Sequence, residues 1–175
     1  MNGWLQTVSG REFSFPRFLP EQIVIEDIAH ALAHQCRFAG HTLRFYSVAE
    51  HCCLLSDRAD DEYKFTALMH DASEAYMLDF PKPLKNLFRS YVLMEESLMS
   101  TIAAKFGFEY PLPPQVKNLD LAILSDERQQ AMKSTHHHEM EWGNVLPSLG
   151  IELQFWSPDV ARREFLNRFY LLSKS

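Results

Sequence analysis

The chain has 175 residues, 46% of them hydrophobic and 23% charged, which is enough apolar material for one core and too much for a disordered polymer. A formal net charge of −6 supplies no basic footprint and excludes a protein that tracks a nucleic-acid polymer by charge. Cys36, Cys52 and Cys53 make no disulfide framework, no apolar run reaches the roughly 18 residues of a membrane span, and Met1 to Gly10 lacks the order of a signal peptide. A single cytoplasmic domain over residues 1–175 without membrane contact is expected.

Apolar and polar residues alternate from Trp4 to Pro16 around Ser9-Gly10, which predicts a short β-hairpin. Everything after it reads helical. Ile25, Ile28, Ala29, Leu32 and Cys36 recur at helical spacing and predict a first helix over about Ile25 to Gln35, with Gly40 closing the segment. Ser47-Val48-Ala49-Glu50 has the form of a capping box, so a second helix starts there and carries His51 on a rigid element. The stripe Phe65, Leu68, Met69, Ala72 predicts a third helix from about Glu62 to Tyr76.

That third helix holds His70, Asp71 and Glu74. An imidazole and a carboxylate side by side among apolar residues lose several kcal/mol of solvation unless paired or coordinated. A His-Asp hydrogen bond at a half-exposed helix edge answers that demand, and so does a metal.

Asp79-Phe80-Pro81-Lys82-Pro83 then breaks the chain and holds Asp79 near the third helix. Further helices are expected over Tyr91 to Phe106, stopped by Gly107, and from Pro113-Pro114 to about Met132, carrying Lys117, Asp120, Asp126 and Glu127. His136-His137-His138 is a weak metal signal, because consecutive residues cannot all face one ion from regular structure; a solvated helix end is expected. Ser157 as cap and Pro158 as first helical residue open the last helix, with Val160, Phe165, Phe169 and Leu172 as its packing face. Phe106, Phe108, Tyr110, Trp142, Val145, Leu146, Leu149, Phe155 and Trp156 exceed what a small bundle needs, and homo-oligomerisation is one use for them.

His51, His70-Asp71 and Asp120 fall on three separate expected helices, each flanked by apolar residues. Two imidazoles and two carboxylates suit a divalent first-row metal with positions left for water and substrate. Separately satisfied helix residues are the other reading of the same spacing.

The order His51, His70-Asp71, Asp120 resembles the H...HD...D signature of the HD-domain metal-dependent phosphohydrolase superfamily. The blocks Ser47 to His51, His70 to Glu74, Asp79 to Lys85 and Val116 to Asp120 resemble its small nucleotidase branch, which includes bacterial 5′-deoxynucleotidases and compact phage enzymes that hydrolyse deoxyadenosine triphosphate. The resemblance runs from about Arg37 to Glu127. It implies an all-α HD-domain bundle, here with the N-terminal hairpin, and a divalent ion (manganese, cobalt, iron, zinc or magnesium) held by His51, His70, Asp71 and Asp120. It implies Glu74 as the proton-transfer residue, with Asp79 orienting water or sugar. Cys36-Arg37-Phe38 is similar to an Arg-Trp pair that contacts phosphate and packs on the base. Phe38 stands where the nucleotidases carry tryptophan, which leaves base selectivity open. His41, Pro81, Lys85 and Lys117 complete the expected substrate contacts, and Lys82 and Arg44 are further candidate cations. The implied activity is hydrolysis of a deoxynucleotide phosphate bond, with a triphosphate favoured over a monophosphate. A non-catalytic nucleotide-binding or structural subunit is the reading from another class.

Overall fold

The computed structural model describes residues 3–15, 17–134 and 146–173. Pro16, the run His136-His137-His138, Trp142 and Val145 lie outside them. The architecture is an all-α bundle with one short antiparallel hairpin, β1 (Trp4–Gln6) and β2 (Glu12–Ser14), in which Leu5 faces Phe13. Gly10, at φ 80°, takes the left-handed turn position that a side chain would strain. The turn is tied to the bundle by Ser9, whose backbone N–H and hydroxyl donate to Asp27 at 2.9 and 2.7 Å. Phe13 is fully buried and stacks on Tyr76 with ring centroids 4.0 Å apart.

The helices are α1 (Ile25–His34), α2 (Val48–Arg58), α3 (Lys64–Met69), α4 (Glu74–Met77), α5 (Lys82–Lys85), α6 (Arg89–Phe106), α7 (Pro114–Ala131) and α8 (Pro158–Leu172). The core is built where α1, α2, α3 and α8 pack on one another, from Ile28, Leu32, Val48, Ala49, Leu68 and Phe165, with Leu98 and Ile102 of α6 joining it. Val116 and Ile123 of α7 meet Leu55 and Ala67 in a second cluster, which brings α7 alongside α2. Among the described residues no helix is long and apolar enough to cross a membrane.

The third expected helix is not continuous. It stops at Met69 and restarts at Glu74, and residues 70–73 form a tighter turn held by i→i+3 bonds, Ala72 N–H to Met69 O at 3.0 Å and Glu74 N–H to Asp71 O at 2.9 Å. The expected capping box is half formed. Ser47 Oγ accepts from Glu50 N–H at 3.1 Å, but the Glu50 carboxylate turns the other way. It accepts the backbone N–H groups of Gln154 and Phe155, both at 2.8 Å, and of Trp156 at 2.6 Å. Asp126 likewise accepts from Ser148 Oγ and from Leu149 N–H, so two carboxylates fasten the segment before α8 to α2 and α7.

The expected surplus of apolar surface is also corrected. Phe106, Phe108, Tyr110 and Trp156 are half-buried against the main core, and Leu149 and Phe155 against the smaller clusters. The large apolar side chains that stand exposed are others, among them Leu78, Leu84, Leu87, Phe88 and Leu93 around α5.

Glu50 is fully buried, and burial raises its carboxyl pKa against the pull of the three N–H groups. Hydrogen bonds to a charged acceptor contribute about 1.5–3 kcal/mol each and their buried donors are costly to orphan, so Glu50→Ala is expected to destabilise the fold by at least about 3 kcal/mol. Chemical denaturation checks this; a loss under about 1 kcal/mol would show that the clamp is not needed.

Candidate metal centre

Three elements bring four side chains together. His51 lies in the first turn of α2 behind the Ser47 cap, His70 and Asp71 occupy the tight turn after α3, and Asp120 projects from the second turn of α7. His51 Nε2 and His70 Nε2 stand 3.2 Å apart. Asp71 Oδ2 is 3.2 Å from His70 Nε2 and 3.7 Å from His51 Nε2, and Asp120 Oδ1 is 3.2 and 3.8 Å from the His51 and His70 nitrogens respectively. His51 is fully buried and Asp120 is the most open member, its side chain 40% exposed, so the cluster faces solvent on the α7 side.

Which ring nitrogens carry protons follows from the partners on the far side. His70 Nδ1 sits 2.7 Å from Ala67 O, and a carbonyl only accepts, so that nitrogen donates, and in the neutral ring Nε2 is the one with the lone pair. His51 Nδ1 donates to Glu127 Oε1 at 2.7 Å in the same way. With both rings neutral, two lone pairs and two carboxylate oxygens face one another, an arrangement that is repulsive until positive charge, a proton or a cation, enters it.

The protonation equilibria carry the same demand. Burial opposes charging of His51 and His70, and Arg37 opposes it further at His51. Glu127 and Asp120 nevertheless raise the His51 pKa, and Asp71 raises that of His70 well above the usual imidazole value. Burial likewise works against ionising Asp71 and Asp120, yet the two imidazoles hold both carboxyls below the usual range. The donor set and its spacing fit a divalent ion. At ligand distances of about 2.1 Å, adjacent donors stand about 3.0 Å apart in an octahedron and about 3.4 Å in a tetrahedron.

Glu127 received no role from the sequence. It is fully buried one helical repeat beyond Asp120 on α7, and besides orienting His51 it takes Arg37, with Nη2–Oε2 at 3.2 Å and Nε–Oε1 at 3.1 Å. The i, i+7 spacing from Asp120 was the available signal. Arg37 therefore lies within the cluster, 8% exposed, its fork committed to Glu127 and its Nη1 3.6 Å from Asp71. The Phe38 ring sits against that guanidinium, 5.4 Å from Cζ to centroid, on a turn in which Phe38, Ala39 and Gly40 all have positive φ. His41 closes this turn through its backbone N–H and its residue is exposed. Cys52 was also missed. Its thiol lies within 4.8 Å of ligand atoms of His70 and Asp71, but burial pushes its pKa up to about 11, so it backs His70 as a neutral group.

Glu74 opens α4 one tight turn after Asp71 and is 7% exposed. Its Oε2 is buried without a hydrogen-bond partner, and Lys85 Nζ is 4.0 Å from Oε1. Burial first, then Asp71 and Asp79, raise its pKa well above the carboxylate range. Asp79 is raised for similar reasons. Gln35 fixes both segments, donating to Glu74 O at 2.9 Å and accepting from Asp79 N–H at 3.0 Å. Two cavities meet at His70 and Leu112. One is lined by Lys82, Val116, Lys117, Asp120 and Leu121, the other by Asp71, Ser73, Glu74, Lys85, Glu95, Glu96, Met99 and Tyr110. Arg37, Phe38, His41, Asp79 and Pro81 line neither.

A helical bundle with a short hairpin, in which two buried histidines and two partly exposed aspartates cluster beside a cavity, is the class that fold and site define. The chain is 44% identical to the uncharacterised protein YfdR of Escherichia coli K12 over 126 residues, 72% of this chain and 71% of that one. It is 31% identical to an uncharacterised protein of Rhodobacter capsulatus over 189 residues, 98% of this chain and 96% of the relative. The chain belongs to the family of these bacterial proteins. No protein-family model matches it.

Because a carboxylate behind a ligating imidazole fixes its tautomer, Glu127→Gln is expected to weaken metal affinity about 10- to 100-fold while Asp120 and His70 stay in place. Competition with a chromogenic chelator reads the shift, and an unchanged affinity would reduce Glu127 to a partner of Arg37.

Proposed function

We propose that this chain is a metal-dependent phosphohydrolase of the HD type that cleaves a deoxynucleotide phosphate bond. The observation that carries the reading is the convergence of His51, His70, Asp71 and Asp120 through nitrogen and oxygen atoms 3.2 to 3.8 Å apart. A divalent ion bound there, manganese, cobalt, iron, zinc or magnesium, supplies an acidified water and polarises a phosphoryl oxygen. The chain's own residues do the rest. Lys82 and Lys117, which enter no ion pair among the described residues, flank the cavity beside Asp120 and would hold phosphate oxygens. Glu74, whose carboxyl pKa burial and Asp71 raise, is the acid that serves the leaving oxygen. Arg37 and Glu127 hold His51 and Asp71 in register. Two unpaired lysines on one wall favour a deoxynucleoside triphosphate, and deoxyadenosine is the nucleoside that the family resemblance alone suggests. Arg37 and Lys85 are already matched by Glu127 and Glu95, which favours the 5′-deoxynucleotidase alternative.

The test reconstitutes the purified chain with each of the five metals and follows panels of deoxynucleoside mono- and triphosphates by chromatography. Metal-dependent release of deoxynucleoside with tripolyphosphate supports the leading reading, and release of orthophosphate from monophosphates supports the alternative. No turnover of any nucleotide under any metal overturns the enzyme reading and leaves the nucleotide-binding subunit. Assembly into homo-oligomers, served by the exposed Leu84, Leu87 and Phe88, belongs to the same proposal, and light scattering tests it.

A further inference from the structure

His70 and Asp71 belong to two donor sets. Besides the four-residue cluster, Cys52 Sγ, a His70 ring nitrogen and an Asp71 carboxylate oxygen lie within 4.8 Å of one another, the same bound that encloses the ligand atoms of His51, His70 and Asp120. Cys52 is a free thiol with no solvent exposure, and it follows His51 directly on α2, so the two side chains leave that helix about 100° apart around its axis. The other thiols lie elsewhere: Cys36 Sγ meets Thr42 Oγ1 at 3.3 Å, and Cys53 enters no such set among the described residues. The two sets differ in softness. Imidazoles and carboxylates alone serve manganese, iron and magnesium, whereas a thiolate selects softer ions. They also exclude one another at His70. Its Nδ1 donates to Ala67 O at 2.7 Å, so the ring has one lone pair left to give, and that pair serves one ion at a time.

We infer that Cys52, His70 and Asp71 form a second, thiophilic site, which takes zinc or cadmium at the expense of the ion in the four-residue centre; this rests on the metal-binding part of the reading above and not on its nucleotide chemistry. As the soft ion enters, the Cys52 S–H bond breaks, its electron pair stays on sulfur and makes the sulfur–metal bond, and the proton passes to solvent. No oxidation state changes. With zinc–sulfur and zinc–nitrogen bonds of about 2.3 and 2.1 Å, tetrahedral donors stand about 3.6 Å apart, so a separation of at most 4.8 Å closes by a side-chain adjustment. The pairing acts as a selectivity device. A hard ion is held by His51, His70, Asp71 and Asp120 together, and a soft one draws His70 and Asp71 to Cys52, leaves His51 and Asp120 with two donors between them, and stops the chemistry of that centre.

The experiment loads the full chain with manganese, followed by electron paramagnetic resonance, and titrates it with cadmium, whose bond to a thiolate appears as a new ultraviolet charge-transfer band. In the wild type the band is expected to grow in step with the release of manganese. Cys52→Ser is expected to lose the band and to bind cadmium about tenfold or more weakly, with manganese affinity within about twofold of the wild type. Cys52→Ala serves as the second variant if the serine does not fold, and Cys53→Ser is expected to keep the band. Cadmium bound by the wild type without the band, a band that survives loss of the Cys52 thiol, or a band that grows while manganese stays in place overturns the inference. Manganese binding that persists alongside such a result leaves the metal-centre reading standing, whereas a wild-type chain that binds no divalent ion removes the reading beneath it.

Discussion

Asp71→Ala is expected to remove metal and turnover together while leaving the helical signal in place. Asp71 Oδ2 lies 3.2 Å from His70 Nε2 and 3.7 Å from His51 Nε2, and 3.6 Å from Arg37 Nη1, so its loss takes away a ligand and the negative charge that faces both imidazoles. The residue stands in the 70–73 turn with its side chain 18% exposed and fills no core position, which spares the fold. Metal content by mass spectrometry, activity and far-UV circular dichroism on one preparation check the three parts. Full turnover with stoichiometric metal would take Asp71 out of the centre.

Glu74→Gln is the second large effect, with kcat reduced by about 10²–10⁴ and metal content unchanged. The sign of the pH dependence follows from the direction of each shift. Glu74 is the proposed acid and its pKa is raised, so the active form is expected to dominate below that elevated value and the rate to fall as pH rises through it. On the other side, the raised pKa values of His51 and His70 let protons compete with metal, so activity falls as pH drops through them. The wild type should give a bell-shaped profile. The glutamine variant should lose its alkaline limb and keep the acid one. A variant with the alkaline limb intact would assign that limb to another group.

Much of this arrangement is legible in the chain, for identifiable reasons. Ser9-Gly10, Ser47, Gly107, Pro114 and Ser157-Pro158 mark ends through local backbone chemistry, and the structure places element boundaries at or near them. His51, His70, Asp71 and Asp120 stand out because polar residues interrupt apolar stripes, and the folded chain brings all four together. The break at His70 to Ser73 was not legible. Ala72 and Ser73 tolerate both helix types, and the choice between i+3 and i+4 bonding is made by packing. Arg37 offered the right chemistry for phosphate, but its partner Glu127 lies 90 residues away and a mid-helix glutamate reads as solvated. Glu50 looked like half of a capping box because the three amides it holds are more than 100 residues downstream. Long-range pairs of this kind leave no local periodicity.

The 3₁₀ character of residues 71–74 has a thermodynamic consequence. In a 3₁₀ turn residues three apart eclipse one another, whereas in an α-helix they are offset by about 60°. The break therefore stacks the Asp71 and Glu74 positions along one line, and Asp71 is, after burial, the first cause of the Glu74 shift. Cation uptake at Asp71 and proton loss at Glu74 are then linked reciprocally: whatever a bound ion does to acidify Glu74, deprotonating Glu74 does to tighten the ion by the same factor. On the proposed metal-dependent reading, a backbone irregularity four residues long thus couples metal occupancy to the acid strength of Glu74.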